Sequence, residues 1–323
     1  MSEVSIQLIN PANGLLLSGS EHRLVDRAGG EFLAPDGIFR FVNDDNYTDN
    51  FGFQWNKFRQ TQIDRDLKGS QQSAERFFAA TGWVRDGLEG QNILEVGSGA
   101  GRFSSVILKC TKANLYTVDY SNAVEANVKN NGPDERLRIF QASIYALPFA
   151  PAQFDKVICF GVLQHTPDFR QSVKCLTEMV KPGGEVIVDF YPIRGWYTKI
   201  HAKYLLRPFA KDMSNERLLL LIENNVDRLI AAYRFLEKVG LGKLNRFVPI
   251  CDIRNTIPSG LSEAELREWV ILDTFDMFSP QYDNPQRLST VVKWFKEFGV
   301  RTVRGKVIAY GNGNSIDVVC AIR

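Results

Sequence analysis

The run Glu95-Val96-Gly97-Ser98-Gly99-Ala100-Gly101-Arg102-Phe103 sets three glycines at alternate positions between an apolar stretch and an amphipathic one. Without Cβ atoms such a loop turns tightly and admits a ligand against its backbone, while the free N–H groups of a following helix favour an anionic group. Asp119, ending the next apolar run, offers a carboxylate able to accept from both hydroxyls of a ribose. Any nucleotide-binding crossover shares these features. Two details narrow the choice: the loop reads G-x-G-x-G where a dinucleotide site reads G-x-G-x-x-G, and Glu95 suits an ammonium group better than a pyrophosphate. His165 is the candidate for proton transfer, because imidazole titrates near neutrality.

The elements that must hold these residues follow from periodicity. Strands are predicted at Ile93–Val96, Leu115–Asp119, Leu137–Phe140, Lys156–Phe160 and Glu185–Phe190, and helices at Arg102–Cys110, Asn122–Lys129 and Phe169–Val180. This alternation predicts an α/β fold: a doubly wound, mostly parallel seven-stranded sheet with ligand at the C-terminal ends of its strands. After Pro192 the alternation stops and a helical insertion follows, its longest helix starting at Ser214 and ending at Gly240. A helix over Pro285–Phe298 and two strands, Val300–Ala309 and Ser315–Ile322, joined at Gly311-Asn312-Gly313-Asn314, predict a C-terminal antiparallel hairpin. The expected organisation is a small β module over 1–45, a lead-in over 46–90 with a helix near Ser73–Thr81, a ligand-binding core over 91–192, a basic helical lid over 193–275 and completion of the sheet over 276–323.

The glycine loop resembles the first motif of the class I S-adenosylmethionine (SAM) dependent methyltransferases, and further landmarks of that family recur in order. They are Val118-Asp119-Tyr120-Ser121, Ala146-Leu147-Pro148-Phe149, Phe154-Asp155-Lys156-Val157, Gly161 to Asp168, and Lys181-Pro182-Gly183-Gly184. The resemblance implies a Rossmann-like fold and SAM as cofactor. It implies that Glu95, Gly97, Ser98, Gly99 and Gly101 line the methionine end, with Arg102 near its carboxylate. Asp119 would hold the ribose, Tyr120 and Ile144 the adenine faces, and Ser143, where many relatives carry Asp, the adenine amino group. Phe160, Gly161 and Leu163 would pass beside the sulfonium. His165 would then be either the general base for a hydroxyl acceptor or a brace for its own loop. A NAD-dependent oxidoreductase and a noncatalytic SAM-binding protein are the alternatives from other classes.

Residues 47–323 are also similar to bacterial methyltransferases of surface-polysaccharide and sugar-modifying pathways, through Tyr47 to Asn56, Thr61 to Asp64, Asp276 to Tyr282 and Val292 to Gly299. That likeness implies a carbohydrate-containing acceptor, either a small molecule or a lipid-linked glycan. Phe51, Phe53 and Trp55 are candidates for a lid or for packing, and Asp276 and Asp283 for capping turns. The N-terminal module resembles the small zinc ribbons that precede some methyltransferases, but every candidate metal position lacks its cysteine, and no metal is expected.

Composition excludes some classes. The 323 residues are 44% hydrophobic and 24% charged, with no apolar run near the roughly 20 residues of a membrane span. Five widely spaced cysteines without a C-x-x-C pair predict free thiols, and the start of the chain predicts a cytoplasmic location. A net charge of +2 argues against nucleic acid as a partner. Between Arg194 and Arg246, however, eleven Lys/Arg stand against five Asp/Glu. This basic segment suits an anionic acceptor. A second use open to it is peripheral contact with an anionic bilayer through Trp196, Tyr197, Ile200 and Tyr204, beside Lys199 and Lys203.

Overall fold

The computed structural model describes residues 6–42, 46–64, 71–310 and 314–323. Strands β1 (Leu17–Ser20), β2 (Arg23–Asp26) and β3 (Glu31–Leu33) form an antiparallel sheet of their own. Its turn is held by Asp26, whose carboxylate accepts from Asn10 Nδ2 at 2.6 Å, Asn13 Nδ2 at 3.0 Å and the N–H groups of Ala28 and Gly30. Those bonds, the one from Asn10 foremost, hold Asp26 well below the usual carboxylate range.

The chain then enters the main sheet. Strand β4 (Phe39–Arg40) pairs parallel with β7 (Leu137–Gln141), and helices α1 (Asp49–Lys57) and α2 (Gln72–Thr81) lead on to β5 (Asn92–Val96). Next come α3 (Arg102–Cys110), β6 (Asn114–Asp119), α4 (Val124–Asn131), β8 (Phe154–Phe160), α5 (Phe169–Met179) and β9 (Val180–Phe190). Helices α6 (Ala202–Ala210), α7 (Asn215–Lys238), α8 (Ile253–Thr256) and α9 (Glu263–Phe278) form a cap. Helix α10 (Leu288–Glu297) and strands β10 (Thr302–Tyr310) and β11 (Asn314–Ile322) complete the layer.

The main sheet has eight strands in the order β10-β11-β9-β8-β5-β6-β7-β4. Sequence reasoning gave seven. The extra strand is β4, two residues long, too short to carry an alternating pattern of its own, and recruited from the N-terminal module to cover the β7 edge. Strands β4 to β9 run parallel, and β11 and β10 are antiparallel, with residues 311–313 of the predicted hairpin turn outside the described residues.

Consecutive residues of the central strands face opposite layers, as in a sheet buried on both sides. Leu94, Val157 and Val186 pack towards α5 and α10 (Val173, Leu176, Val291, Phe295). Ile93, Ile158 and Ile187 pack towards α2, α3 and α4 (Phe77, Val106, Ile107, Val124). The cap has a third core of its own, in which Ile222, Val226, Ile230 and Tyr233 of α7 meet Val270, Leu272 and Phe275 of α9. Helix α9 continues to Phe278, past the expected end of the insertion. Among the described residues no helix is long and apolar enough to cross a membrane.

The expected membrane-facing stripe does not form as one helical face. Trp196–Lys199 is a separate 3₁₀ turn, with Trp196 84% exposed, whereas Lys203 and Tyr204 on α6 turn inward to line the main cavity. The break falls at Ile200 and His201, so residues on either side do not share a helical phase.

Candidate active site

A cavity of about 540 Å³ lies where the C-terminal ends of β5, β6, β8 and β9 meet the cap. Its floor is the glycine loop. Gly97 has φ of 82°, and a Cβ there would stand 2.2 Å from a Val162 methyl, so no larger residue fits. Gly99 lies against the Trp55 ring, and its N–H donates to Asp119 Oδ2 at 2.7 Å. Asp119 Oδ1 accepts from the Ser121 N–H and hydroxyl, at 2.8 and 2.6 Å. Burial raises the Asp119 pKa against these bonds. A half-buried carboxylate of this kind is poised to accept further donors.

Of the thirteen residues assigned to the cofactor, Gly97, Ser98, Gly99, Arg102, Asp119, Tyr120, Ile144, Phe160 and Gly161 line this cavity. Four do not. Leu163 is fully buried in the core beneath the sheet, because the chain after Gly161 makes a 3₁₀ turn over Leu163–His165 that carries its side chain away. Gly101 stands behind the loop, against Asn127 and Asn131. Ser143 uses its hydroxyl to accept the Tyr145 N–H at 3.2 Å. Glu95 is 3% exposed and accepts from Ser104 Oγ at 2.5 Å, and burial pushes its pKa up to about 8. A carboxylate turned into the protein and held near neutrality does not serve as the open partner for an ammonium group.

The residues present suit SAM in other respects. Arg102 is half-buried, gives Nε to Ser73 Oγ at 2.8 Å and Nη1 to Gln62 at 2.9 Å, and leaves Nη2 without a partner among the described residues. Desolvation, and then neighbouring Arg76, lower its pKa to about 10, so a ligand carboxylate would relieve it. Ser98 Oγ is buried with no partner, in the floor of the same cavity.

Sequence reasoning missed the pair beneath this end of the site. Arg76 of α2 donates twice to Asp189 of β9, at 3.0 and 2.5 Å, and the Gly161 N–H donates to the other carboxylate oxygen at 2.5 Å. The pair fixes the turn after β8, but with 113 residues between its members it leaves no local signal.

His165 lines the same cavity as the loop. It is 5% exposed, its Nδ1 is 3.0 Å from the Tyr282 carbonyl, and its ring packs on Phe51 and edge-on to Tyr191. A carbonyl only accepts, so Nδ1 carries the proton and the neutral ring presents its lone pair at Nε2. Burial lowers the His165 pKa, opposed by the carboxylates of Asp276 and Asp283.

Those two aspartates do more than cap turns. Asp276 lines the cavity, accepting from Tyr191 at 3.3 Å and Gln54 Nε2 at 3.4 Å, while Gln54 Oε1 is buried without a partner. Asp283 forms a buried ion pair with Lys203 at 2.9 Å. Asp273, one helical turn before Asp276, also lines the cavity, and burial raises its pKa to about 7. Of the lead-in aromatics, Phe51 and Trp55 line the cavity and Phe53 packs on Phe275. Among the described residues no group of three His, Cys, Asp or Glu is placed to hold a metal.

Comparison with known proteins bears on the fold and the cofactor. Residues 94–188 match the family model described as a methyltransferase domain. The chain is 29% identical over 133 residues to the ubiquinone biosynthesis O-methyltransferase of Pseudomonas aeruginosa, covering 39% of this chain and 57% of that protein. It is 32% identical over 101 residues to the enzyme of the same name from Coxiella burnetii, covering 31% of this chain and 43% of that protein. It therefore spans about half the length of the curated relatives it matches. Among solved structures, it is similar to a Haloferax volcanii methyltransferase in complex with its activator (TM-score 0.49, 10% identity, 87% of this chain and 99% of that one). It is also similar to a SAM-dependent methyltransferase of Thermotoga maritima (TM-score 0.46, 12% identity, 86% of this chain and 99% of that one). The parallel sheet, the glycine loop at its C-terminal edge and the match over residues 94–188 give this chain the class I, Rossmann-like, SAM-binding methyltransferase fold.

Proposed function

We propose that this chain is an enzyme that transfers the SAM methyl group to a hydroxyl oxygen, with an amine nitrogen as second choice, of a carbohydrate-containing or related small-molecule acceptor, free or lipid-linked. The observation that carries the reading is the state of His165: Nδ1–H bound to the Tyr282 carbonyl, and Nε2 left as a base on a residue that lines the same cavity as the glycine loop. When bound, SAM supplies an activated methyl group on a sulfonium. The chain then has two tasks, to orient the acceptor oxygen and to take its proton. Asp119, Ser98 and Arg102 hold the cofactor, and His165 Nε2 takes the proton as the oxygen becomes a nucleophile.

A polyhydroxylated acceptor suits the far half of the cavity. Asp276, Asp273 and the unpartnered Gln54 Oε1 accept hydrogen bonds from hydroxyls, and Phe51, beside His165, offers a ring to the apolar side of a sugar. The name of the Pseudomonas and Coxiella relatives specifies transfer to oxygen, which favours the hydroxyl over the amine. The test is transfer of a labelled methyl group from SAM to a panel of nucleotide sugars, lipid-linked glycans and free glycosides. Label in a hydroxyl of one of them supports the reading. SAM binding with no transfer across the panel favours a noncatalytic SAM-binding protein instead.

A further inference from the structure

A second cavity, of about 690 Å³, opens within the cap, between the C-terminal end of α7, the 3₁₀ turn Gly242–Phe247 and α8. Three residues, His201, Cys251 and Asp252, line both cavities, so the two adjoin at these side chains. Of its two carboxylates, one is paired with a cation and the other accepts only from neutral groups. Glu237 receives Arg254 at 3.3 Å and Asn245 Nδ2 at 2.9 Å, and Asp252 receives the Tyr233 hydroxyl at 2.8 Å and Asn255 Nδ2 at 2.7 Å.

The remaining cations are not answered. Lys243 has no ion-pair partner among the described residues. Arg246 gives Nε and Nη2 to the carbonyls of Ile200 and Tyr197, both at 2.7 Å, which uses two of its five N–H hydrogens and leaves its charge uncancelled. At the inner end, His201 caps α6 by accepting the Lys203 N–H on Nδ1 at 3.1 Å, so the neutral ring carries its proton on Nε2 as a donor. A polar cavity whose two unpaired cations outnumber its one unpaired carboxylate, with an imidazole donor where it adjoins the active site, suits an anion.

We propose that this cavity binds a phosphate or pyrophosphate group on the distal part of the acceptor, with Lys243, Arg246 and His201 as its ligands. Resting on the methyltransferase reading, this makes the acceptor an elongated anionic molecule whose methylated end reaches His165 past His201. The anion site itself stands independently of that reading.

The test titrates the full chain with inorganic pyrophosphate, and separately with SAM, by calorimetry at fixed low ionic strength. Lys243 is exposed and unpaired, so Lys243→Glu leaves the fold intact, and Arg228→Glu makes the same charge change on an exposed face of α7 outside the cavity. Expected are pyrophosphate binding by the unaltered chain, a loss of at least about tenfold in Lys243→Glu and less than about twofold in Arg228→Glu, with SAM affinity unchanged in both. Pyrophosphate should also raise the apparent pKa of His201, read by NMR. No binding by the unaltered chain, or equal weakening by the two variants, overturns the subsite. Pyrophosphate binding without SAM binding would instead overturn the methyltransferase reading and leave the subsite standing.

Discussion

Glutamine at position 165 separates chemistry from architecture. His165→Ala would leave the Tyr282 carbonyl unpaired, at about 1–3 kcal/mol, and open a void between Phe51 and Tyr191. Glutamine keeps an N–H able to reach that carbonyl but offers no base near neutral pH. For His165→Gln the expected outcome is SAM affinity within about threefold of the unaltered chain and a turnover rate lower by roughly 10²–10⁴, equivalent to about 3–5 kcal/mol of transition-state stabilisation. The pH profile gives the sign. The base works when neutral, and burial sets its pKa below the ordinary 6.5, so the rate should fall as pH drops through a value below 6.5. Asp276→Asn removes the first of the carboxylates that hold this pKa up, and should move the acid limb to lower pH. Stability follows the same linkage. The unfolded imidazole binds its proton from 6.5 downward while the folded one resists, so the benefit of a neutral His165 is complete above 6.5 and drains below it. Saturation kinetics and denaturant melts from pH 5 to 9 read all three effects. A glutamine variant with unaltered turnover and the same acid limb would refute the general-base role and leave proximity to account for the rate.

Asp119→Asn should weaken SAM binding by more than about tenfold, since it removes a charge-assisted acceptor and sets an amide N–H against the Gly99 or Ser121 N–H; calorimetry that finds a folded variant with unchanged affinity would remove Asp119 from the ribose. Gly97→Val forces a β-branched residue to φ of 82° and into a Val162 methyl, and should lower stability by about 2 kcal/mol or more in urea melts. Glu95, held protonated up to about 8, binds a proton that the unfolded chain releases above the ordinary 4.5, so stability should decline across that window by on the order of 1 kcal/mol per pH unit. Glu95→Gln should flatten the decline, and equal slopes in the two proteins would contradict the burial of the charge.

The cofactor half of the site was legible because its parts are local. A glycine loop between a strand and a helix, and an aspartate ending the next strand, sit within a single crossover, and the bounds of α3 match the sequence pattern residue for residue. The acceptor half was not, because its groups converge from far apart. Asp276 meets Gln54 across 222 residues, and His165 meets the Tyr282 carbonyl across 117. Side-chain direction was the other gap. Leu163 was expected beside the methyl group because it follows β8 so closely, but a 3₁₀ turn takes it into the core and presents His165 instead. Lys203 and Tyr204 looked like surface residues of a basic segment until the break before α6 turned them inward, where buried Asp283 draws the lysine. The helical spacing of Asp273 and Asp276 was the one available hint that α9 turns carboxylates to a single side.

The cap's separate core divides the labour of the molecule. Ile222, Val226, Val270 and Phe275 pack among themselves, while the glycine loop rests on the sheet's own layers. The cavity wall that carries Asp273, Asp276 and Lys203 is thus built on a core distinct from the layers that flank the strands presenting Asp119 and Gly99, and the two bodies meet where Gln62 bridges Asp273 and Arg102. On the proposed reading, substitutions at cap residues away from that bridge should change the acceptor with little change in SAM affinity. For an engineer, that makes α6 to α9 the region to randomise in a search for new acceptors, with SAM affinity as an internal control that each variant still folds.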